Sequence, residues 1–252
     1  MKLGAQLYTV RTHLQEPGQI RETFRKVREI GYESVQFSGG STADAALLQE
    51  VSEEFALPIV CTHVPFERLI AECETLIREH KTFACPVIGL GAMPKEYRGS
   101  EEGLRAFLDL IEKPAAKILD AGLRFAYHNH AFEFEKVAPD LCYYDLLLEK
   151  HPDWQFIADT YWIAYANCSI AEYLEKIGRE RLLNVHFKDM AADAARSICA
   201  CGAGVLQFDA IARQCAELGV QNVLVEQDNA PKLGDPFACL AESYAHLRPI
   251  IG

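Results

Sequence analysis

Short apolar runs alternate with longer amphipathic segments along this chain, and the alternation repeats eight times. The apolar runs have the composition of strands and are bounded by turn residues, a pattern that favours buried β-structure. The strands predicted on this basis are Leu3–Tyr8, Ser34–Phe37, Ile59–His63, Val87–Leu90, Arg124–Asn129, Gln155–Asp159, Leu183–Phe187 and Asn222–Glu226.

The segments between the strands carry apolar residues at three- and four-residue intervals, which predicts amphipathic helices. These helices are Ile20–Ile30, Ala43–Phe55, Ile70–Phe83, Gly103–Ala121, Tyr143–Lys150, Ile170–Gly178 and Phe208–Leu218, with a final helix after Asp235-Pro236. Three of the segments run into a glycine, at Gly31, Gly122 and Gly219. Glycine at such a position ends a helix in the left-handed conformation.

Near-continuous apolar strands separated by helices imply a parallel sheet covered on its outside, and eight such units close into a barrel. The alternative is a doubly wound open sheet that binds a dinucleotide. That fold places a glycine-rich phosphate loop after its first strand, whereas this chain has Gln6-Leu-Tyr8-Thr-Val-Arg11 there. We therefore predict an α/β protein, a single-domain (β/α)8 TIM barrel over residues 1–252.

Composition and charge narrow the class of protein. The chain has 252 residues, 50% of them hydrophobic, which suits one barrel or two small domains. Its net charge is −11, so we expect no nucleic acid and no anionic membrane as partner. We see no signal region at the N-terminus and no apolar stretch long enough for a membrane span. These features predict a soluble, cytoplasmic protein.

Nine cysteines lie mostly in apolar surroundings, where a thiol behaves as a small hydrophobe, so we expect them to be reduced. The pair Cys199 and Cys201 lacks a second ligand pair at the spacing of a zinc site. Four histidines outside the strand ends are predicted to lie at the surface: His13, His80, His151 and His246.

Polar side chains follow the apolar strands where each strand ends. They are Gln6, Tyr8, Gln36, His63, His128, His130, Asp159, His186, Lys188, Glu226 and Asp228. Side chains alternate along a strand, so residues two apart, such as His128 and His130, share a face. A buried charge must be paired or coordinated, and the active sites of barrel enzymes lie at this end of the strands. The pattern therefore predicts a metal site at the carboxyl end of the barrel.

The strand ends resemble those of the xylose isomerase-like TIM-barrel superfamily, which contains sugar phosphate isomerases and epimerases, inosose dehydratases, 3-dehydroshikimate dehydratases and the endonuclease IV group. The similar segments are Gly4-Ala-Gln-Leu-Tyr-Thr-Val-Arg11, Ile30-Gly-Tyr-Glu-Ser-Val-Gln-Phe37, Thr62-His63, Tyr127-His-Asn-His-Ala-Phe-Glu-Phe134, Ala158-Asp159-Thr, Val185-His-Phe-Lys-Asp189 and Val225-Glu226-Gln-Asp228. The resemblance covers nearly the whole chain. It is specific for the superfamily and not for a substrate.

The resemblance implies one divalent cation held by residues of strands five to eight. Asp159, His186 and Glu226 match three of the four usual ligands. The usual glutamate of strand five is absent, and either His128 replaces it or Glu133 reaches back from the following loop. Mixed nitrogen and oxygen ligation favours Mn²⁺ or Zn²⁺, with Mg²⁺ and Co²⁺ as alternatives.

Such a site suits a keto-sugar or polyol substrate that reacts through an enediolate. Isomerisation or epimerisation is the leading expectation, and dehydration or another lyase reaction is the alternative, because His128 and His130 offer a general acid. A nuclease is disfavoured by the negative charge, whereas a barrel that has lost activity and serves as a binding or assembly subunit stays open. The superfamily resemblance also implies a homo-oligomer. The candidate catalytic residues are Glu226, His130, Glu133 and Lys188, and the candidate substrate-binding residues are Gln6, Tyr8, His63, Trp162 and Asp228.

Overall fold

Eight parallel strands close into a barrel in the computed structural model, which describes residues 1–40, 43–138 and 141–252. The barrel strands are β1 (Lys2–Gln6), β2 (Ser34–Phe37), β3 (Ile59–Val64), β4 (Val87–Leu90), β5 (Arg124–His128), β6 (Gln155–Asp159), β7 (Asn184–Phe187) and β8 (Asn222–Val225). Each strand pairs with its neighbours in the sequence, and β1 also pairs with β8. The predicted TIM barrel is confirmed.

Helices cover the outside of the barrel and fill the connections between strands. They are α1 (Pro17–Ile30), α2 (Ala45–Glu54), α3 (Phe66–Ala71), α4 (Cys73–Thr82), α5 (Glu101–Asp120), α6 (Tyr143–Lys150), α7 (Thr160–Tyr165), α8 (Ile170–Ile177), α9 (Phe208–Glu217) and α10 (Pro236–Ile251). Short 3-10 segments lie at Leu7–His13, Lys95–Tyr97, Phe132–Phe134 and Ala230–Lys232. Two short antiparallel pairs join Lys136–Ala138 to Leu141–Cys142 and Asp189–Met190 to Ile198–Cys199.

The core lies on both sides of the strands, which is why they read as continuous apolar runs. Every residue of β2, β4, β6, β7 and β8 is buried. Side chains facing outward pack against the helices, and side chains facing inward fill the barrel. At the carboxyl end this inner layer changes from apolar to polar residues, and the polar layer forms the candidate site.

Three differences from the predicted elements have local causes. The first strand ends at Gln6 because its side-chain Oε1 accepts the backbone N–H of Tyr8 at 3.1 Å and starts a 3-10 turn. The helix predicted over Ile70–Phe83 is two helices, α3 and α4, divided at Glu72. The unpredicted α7 begins where Oδ1 of Asp159 accepts the backbone N–H of Trp162 at 3.0 Å.

Other expectations can be compared with the structure directly. Gly31, Gly122 and Gly219 have φ angles of 120°, 78° and 77°, so the predicted left-handed helix ends are confirmed. All nine cysteines are free. The prediction that His80 and His151 lie at the surface is wrong, since both are buried. Within the described ranges, no helix is both long and apolar enough to cross a membrane.

Candidate metal centre

The carboxyl ends of β5 to β8 bring four polar side chains together. In the ladder between β6 and β7, Asp159 lies directly beside His186. Beyond the end of β8, the backbone N–H of Glu226 donates to the carbonyl of Phe187 at 3.1 Å, which continues the pairing with β7. His128 is the last residue of β5, the strand on the other side of β6. Because these parallel strands end at the same rim of the barrel, the side chains at their ends lie close together.

His128, Asp159, His186 and Glu226 form a buried cluster, called the four-residue group below. One nitrogen or oxygen atom of each lies within 4.8 Å of those of the others. Oδ2 of Asp159 is 3.3 Å from Nε2 of His128 and 3.8 Å from Nδ1 of His186. Nδ1 of His186 is 3.1 Å from Oε2 of Glu226. Two imidazoles and two carboxylates that converge in this way could hold a divalent metal ion.

Two neighbours fix the orientation of the imidazole rings. Oε1 of Gln36 lies 2.8 Å from Nε2 of His186, and the carbonyl oxygen of Gly91 lies 2.9 Å from Nδ1 of His128. Both oxygens are acceptors, so each ring donates its N–H outward. A neutral ring of this orientation, the form that binds a metal, turns its unprotonated nitrogen toward the carboxylates. This arrangement prepares both rings as metal ligands, because a metal-bound histidine normally donates its second nitrogen to such an acceptor.

Lys188 is the cation of the site. Its Nζ lies 2.7 Å from Oδ2 of Asp228, 3.2 Å from Oε2 of Glu226 and 3.5 Å from Oδ2 of Asp159. The lysine side chain is 1% exposed. A buried ammonium is stable only when it is paired, so the three carboxylates hold Lys188 in place. Burial alone would lower the pKa of Lys188, but Asp159 and Glu226 outweigh burial and raise it.

The same charges set the other pKa values when no metal is bound. Burial alone would lower the pKa of His186, but Glu226 and Asp159 raise it to about 9. Burial alone would raise the pKa of Asp159 and of Glu226, yet Lys188 holds both well below their usual range. Burial and the charge of Glu226 raise the pKa of Asp228 to about 6, against the opposing effect of Lys188.

A divalent cation fits this balance of charge. Asp159, Glu226 and Asp228 carry three negative charges when ionised, and Lys188 carries one positive charge. A divalent ion would bring the sum to zero once His186 is neutral. The donor set, the outward N–H groups of the two rings and this charge balance all favour a divalent metal ion.

His128 and Glu226 of the four-residue group line a cavity of about 550 Å³, a volume typical of small-molecule sites. The residues that line the cavity are Tyr8, Ser38, Gly39, Gly40, His63, Val64, Pro65, Phe66, Leu90, Gly91, Ala92, His128, His130, Lys188, Glu226 and Asp228. One part of the wall is apolar, and the rest carries titratable side chains. The site can therefore take a ligand that has both C–H faces and polar groups.

His63 and His130 add two imidazoles to the cavity wall. The ring centroids of His63 and His130 each lie 4.9 Å from that of His128. Nε2 of His63 and Nδ1 of His130 are buried without a partner among the described residues. Burial, and then the neighbouring His128, hold the pKa of each ring well below its usual range. Both rings are therefore neutral at pH 7, with a buried nitrogen free to meet a ligand.

Of the candidate residues outside the four-residue group, three do not line the cavity. Both oxygens of Glu133 are occupied, since Oε1 accepts the hydroxyl of Tyr127 and Oε2 accepts the backbone N–H of His130, each at 2.7 Å. Of the two alternatives for the ligand on strand five, the structure brings His128 into the group and leaves Glu133 outside it. Gln6 caps the turn after β1, and the ring of Trp162 packs 5.3 Å from the ring of His130.

Sequence reasoning gave no role to several residues that shape the site. Gln36 stands at a strand end in the sequence, but nothing there shows that it would reach His186. The contribution of Gly91 is a backbone carbonyl, which leaves no trace in a residue type. The choice of glycine at position 91 is a signal that the sequence does show, because a Cβ there would lie 3.0 Å from Nδ1 of His63. The apolar wall of Val64, Phe66 and Leu90 looks like ordinary core in the sequence.

Comparison with known proteins places the fold. No protein-family model and no curated protein matches the chain. A solved structure described as a sugar phosphate isomerase/epimerase from Parabacteroides distasonis ATCC 8503 is similar, with a TM-score of 0.80 and 21% identity over 100% of both chains. The structure of the IOLI protein with a binding zinc atom has a TM-score of 0.74 and 13% identity, covering 100% of this chain and 98% of that one. A probable 3-DHS dehydratase, AsbF, from Bacillus anthracis has a TM-score of 0.75 and 16% identity, covering 98% of this chain and 99% of that one.

These similarities run along whole chains and confirm, at the level of the fold, the resemblance seen in the sequence. The chain has the fold of the xylose isomerase-like TIM barrels. Identities of 13% to 21% show a shared architecture and leave the reaction to be argued from the site.

Proposed function

We propose that this protein is a divalent-metal-dependent isomerase or epimerase that acts on a keto-sugar or a related polyol. The observation that carries the proposal is the buried four-residue group of His128, Asp159, His186 and Glu226, of which His128 and Glu226 line the cavity. Support for the class of chemistry comes from similar structures described as an isomerase/epimerase and as a dehydratase. A binding zinc atom in the IOLI structure supports a metal in this fold.

The four-residue group would hold the ion, which when bound supplies Lewis-acid polarisation of the substrate carbonyl. Glu226 is the base that takes the proton from the carbon next to that carbonyl. Lys188 lies 3.2 Å from Glu226 and keeps its carboxylate ionised, so that it can accept the proton. His63 and His130 present neutral nitrogens that orient hydroxyl groups.

Isomerisation needs one carboxylate for the carbon-bound proton, because the same group can return it to the neighbouring carbon on the same face, while a second proton passes from the hydroxyl oxygen to the former carbonyl oxygen. Epimerisation needs a second acid on the other face of the enediolate. The four-residue group has histidine at position 128, where the epimerases of the superfamily have a glutamate. The loss of this glutamate favours isomerisation over epimerisation.

Dehydration is the second candidate, favoured by the two additional imidazoles in the cavity wall. Elimination needs a general acid beside the leaving oxygen. Burial and the neighbouring His128 and Lys188 hold the pKa of His130 well below its usual range, so its imidazolium form is scarce at pH 7. Because so little of His130 carries a proton to donate at pH 7, dehydration stands behind isomerisation.

Proton exchange tests the proposal. The metal-loaded protein is incubated with a panel of keto-sugars and inososes in D₂O, and deuterium incorporation and new products are followed by NMR. Glu226→Gln should abolish exchange while Glu242→Gln, on the exposed face of α10, should retain it. Retained exchange in Glu226→Gln would remove Glu226 from the proton transfer. A protein that binds no metal and exchanges no substrate would instead fit the binding-subunit alternative.

A further inference from the structure

We propose that the substrate of this site is a neutral polyhydroxylated ketone that carries neither a phosphate nor a carboxylate group. The inference rests on the proposed function and narrows its substrate class. Three observations support it: the cation in the cavity is paired, backbone donors in the loop after β7 are occupied, and several polar atoms around the cavity lack a partner among the described residues.

The described residues that line the cavity offer an anionic substrate no cation outside an ion pair. Lys188 is the sole lysine or arginine among the described residues that line it, and three carboxylates lie within 3.5 Å of its Nζ. Arg11 donates to the backbone carbonyls of Tyr8 and Asp228 and stacks on the ring of Tyr8. A phosphate group could reach Lys188 only by displacing Asp228, which lies 2.7 Å away. The four positions outside the described ranges hold Ser, Thr, Pro and Asp, so the sequence adds no cation there.

Three backbone donors in the loop after β7 are also occupied. In many barrel enzymes, the loops after the seventh and eighth strands hold a phosphate on their N–H groups. Here the N–H groups of Gly202, Gly204 and Leu206, in the loop after β7, donate to the carboxylate of Asp189 at 2.9, 3.0 and 3.1 Å. This buried carboxylate already fills the position of an anion in that loop.

The unpaired polar atoms around the cavity match hydroxyl groups. Oδ1 of Asp228, Nε2 of His63 and Nδ1 of His130 are buried without a partner among the described residues. When ionised, Asp228 can only accept a hydrogen bond, whereas a neutral imidazole nitrogen accepts or donates according to its tautomer. A hydroxyl can pair with each of these atoms, since it both donates and accepts. A phosphate dianion only accepts and would be repelled by Asp228.

The charge sum leads to a test that does not depend on knowing the sugar. With Mn²⁺ bound and Asp228 ionised, the local charge of the wild-type site is zero, and Asp228→Asn raises it by one and releases Lys188 from its shortest ion pair. The probe is inorganic sulfate, a tetrahedral dianion, titrated by calorimetry into the Mn²⁺-loaded full chain at constant ionic strength. Glu242→Gln removes one carboxylate at an exposed position and is the matched control.

The expected result is no saturable heat with wild type or Glu242→Gln and saturable sulfate binding with Asp228→Asn. Saturable binding to wild type would overturn the inference, and so would a folded Asp228→Asn that binds none, since the pairing of Lys188 would then not be what excludes anions. A second measurement covers an Asp228→Asn that does not fold. In the exchange assay, a free ketose should be processed at least about tenfold faster than its phosphate ester, because the one lysine that lines the cavity is already paired with carboxylates. Faster exchange of the ester would leave the proposed function standing and remove this inference alone.

Discussion

Glu133 offers a sharp test of how the site is supported, because its carboxyl group is fully enclosed. It accepts the hydroxyl of Tyr127 and the backbone N–H of His130, and its residue is 0% exposed. Burial raises its pKa from 4.5 to about 7, although the two hydrogen bonds oppose the shift. We infer that Glu133 positions the loop that carries His130 and does not exchange protons with substrate.

The size of the effect follows from the pKa. A folded-state pKa above the unfolded value means that the group's contribution to stability is present below pH 4.5 and is lost as the pH rises through about 7. Because a tenfold change in a protonation equilibrium corresponds to about 1.4 kcal/mol, the loss approaches about 3 kcal/mol. Glu133→Gln keeps both hydrogen bonds if its oxygen accepts from His130 and its amide donates to Tyr127, and it does not titrate. The stability of this variant relative to wild type should therefore rise with pH.

Urea unfolding followed by circular dichroism between pH 5 and pH 8.5 measures this difference, and other titrating groups cancel between the two proteins. Glu135→Gln, two residues away with an exposed side chain, is the matched control and should show no such trend. Glu133→Gln should also retain proton exchange. A stability difference that does not change with pH would refute the assignment of a raised pKa. Loss of exchange in a folded Glu133→Gln would return Glu133 to the catalytic residues.

Three further predictions concern other buried groups. Burial lowers the pKa of His80 from 6.5 to about 4, so wild type should lose up to about 3 kcal/mol of stability as the pH falls through that range. In urea unfolding, the stability gap between wild type and His80→Gln should therefore narrow with falling pH, and a constant gap would contradict this. Lys188→Met should slow proton exchange by more than about 100-fold and destabilise the metal-free protein by about 3–5 kcal/mol, because its carboxylates lose their cation. Added Mn²⁺ should restore much of that loss in thermal unfolding, and no rescue would count against the charge balance. Gln36→Leu removes the acceptor of His186 and should weaken metal binding by about 10–100-fold in a chelator competition, whereas an unchanged affinity would show that His186 needs no such support.

The barrel could be predicted from the sequence because the same pattern, an apolar strand followed by an amphipathic helix, repeats eight times. A parallel strand covered on both faces reads as an apolar run, and β2, β7 and β8 lie where such runs stood. The predicted boundaries are wrong where a side chain accepts a backbone N–H and starts a new turn or helix, as Gln6 and Asp159 do. These caps depend on the rotamer of one residue, which a pattern of apolar positions does not record.

The site was predictable as a set of strand ends and not as a set of contacts. Asp159, His186 and Glu226 were predicted together, and the structure brings them together with His128. The sequence left His128 and Glu133 as alternatives, because His128 ends the strand that Glu133 follows. Only the fold shows that Tyr127 donates to the glutamate. Whether each residue ligates, binds or reacts stays a prediction.

Buried histidines show a different limit of sequence reasoning. The helical pattern of polar residues around His80 predicts a surface position for its side chain. In the fold its ring lies 2.7 Å from both the hydroxyl of Thr62 and the carbonyl of Leu76. The polar partner on β3 is 18 positions away in the chain. Burial of a polar ring depends on such a distant partner, which periodicity alone does not identify.

Metal stoichiometry tests the central claim most directly. Equilibrium dialysis of the full chain against Mn²⁺ and Zn²⁺, with bound metal measured by mass spectrometry, should give one ion per chain. His186→Leu and Asp159→Asn should lose that ion, whereas His80→Gln, a buried histidine outside the four-residue group, should retain it. Folded wild type that binds no divalent metal between pH 6 and pH 9, or equal binding by wild type and both ligand variants, would contradict the assignment of a metal centre at the end of this barrel.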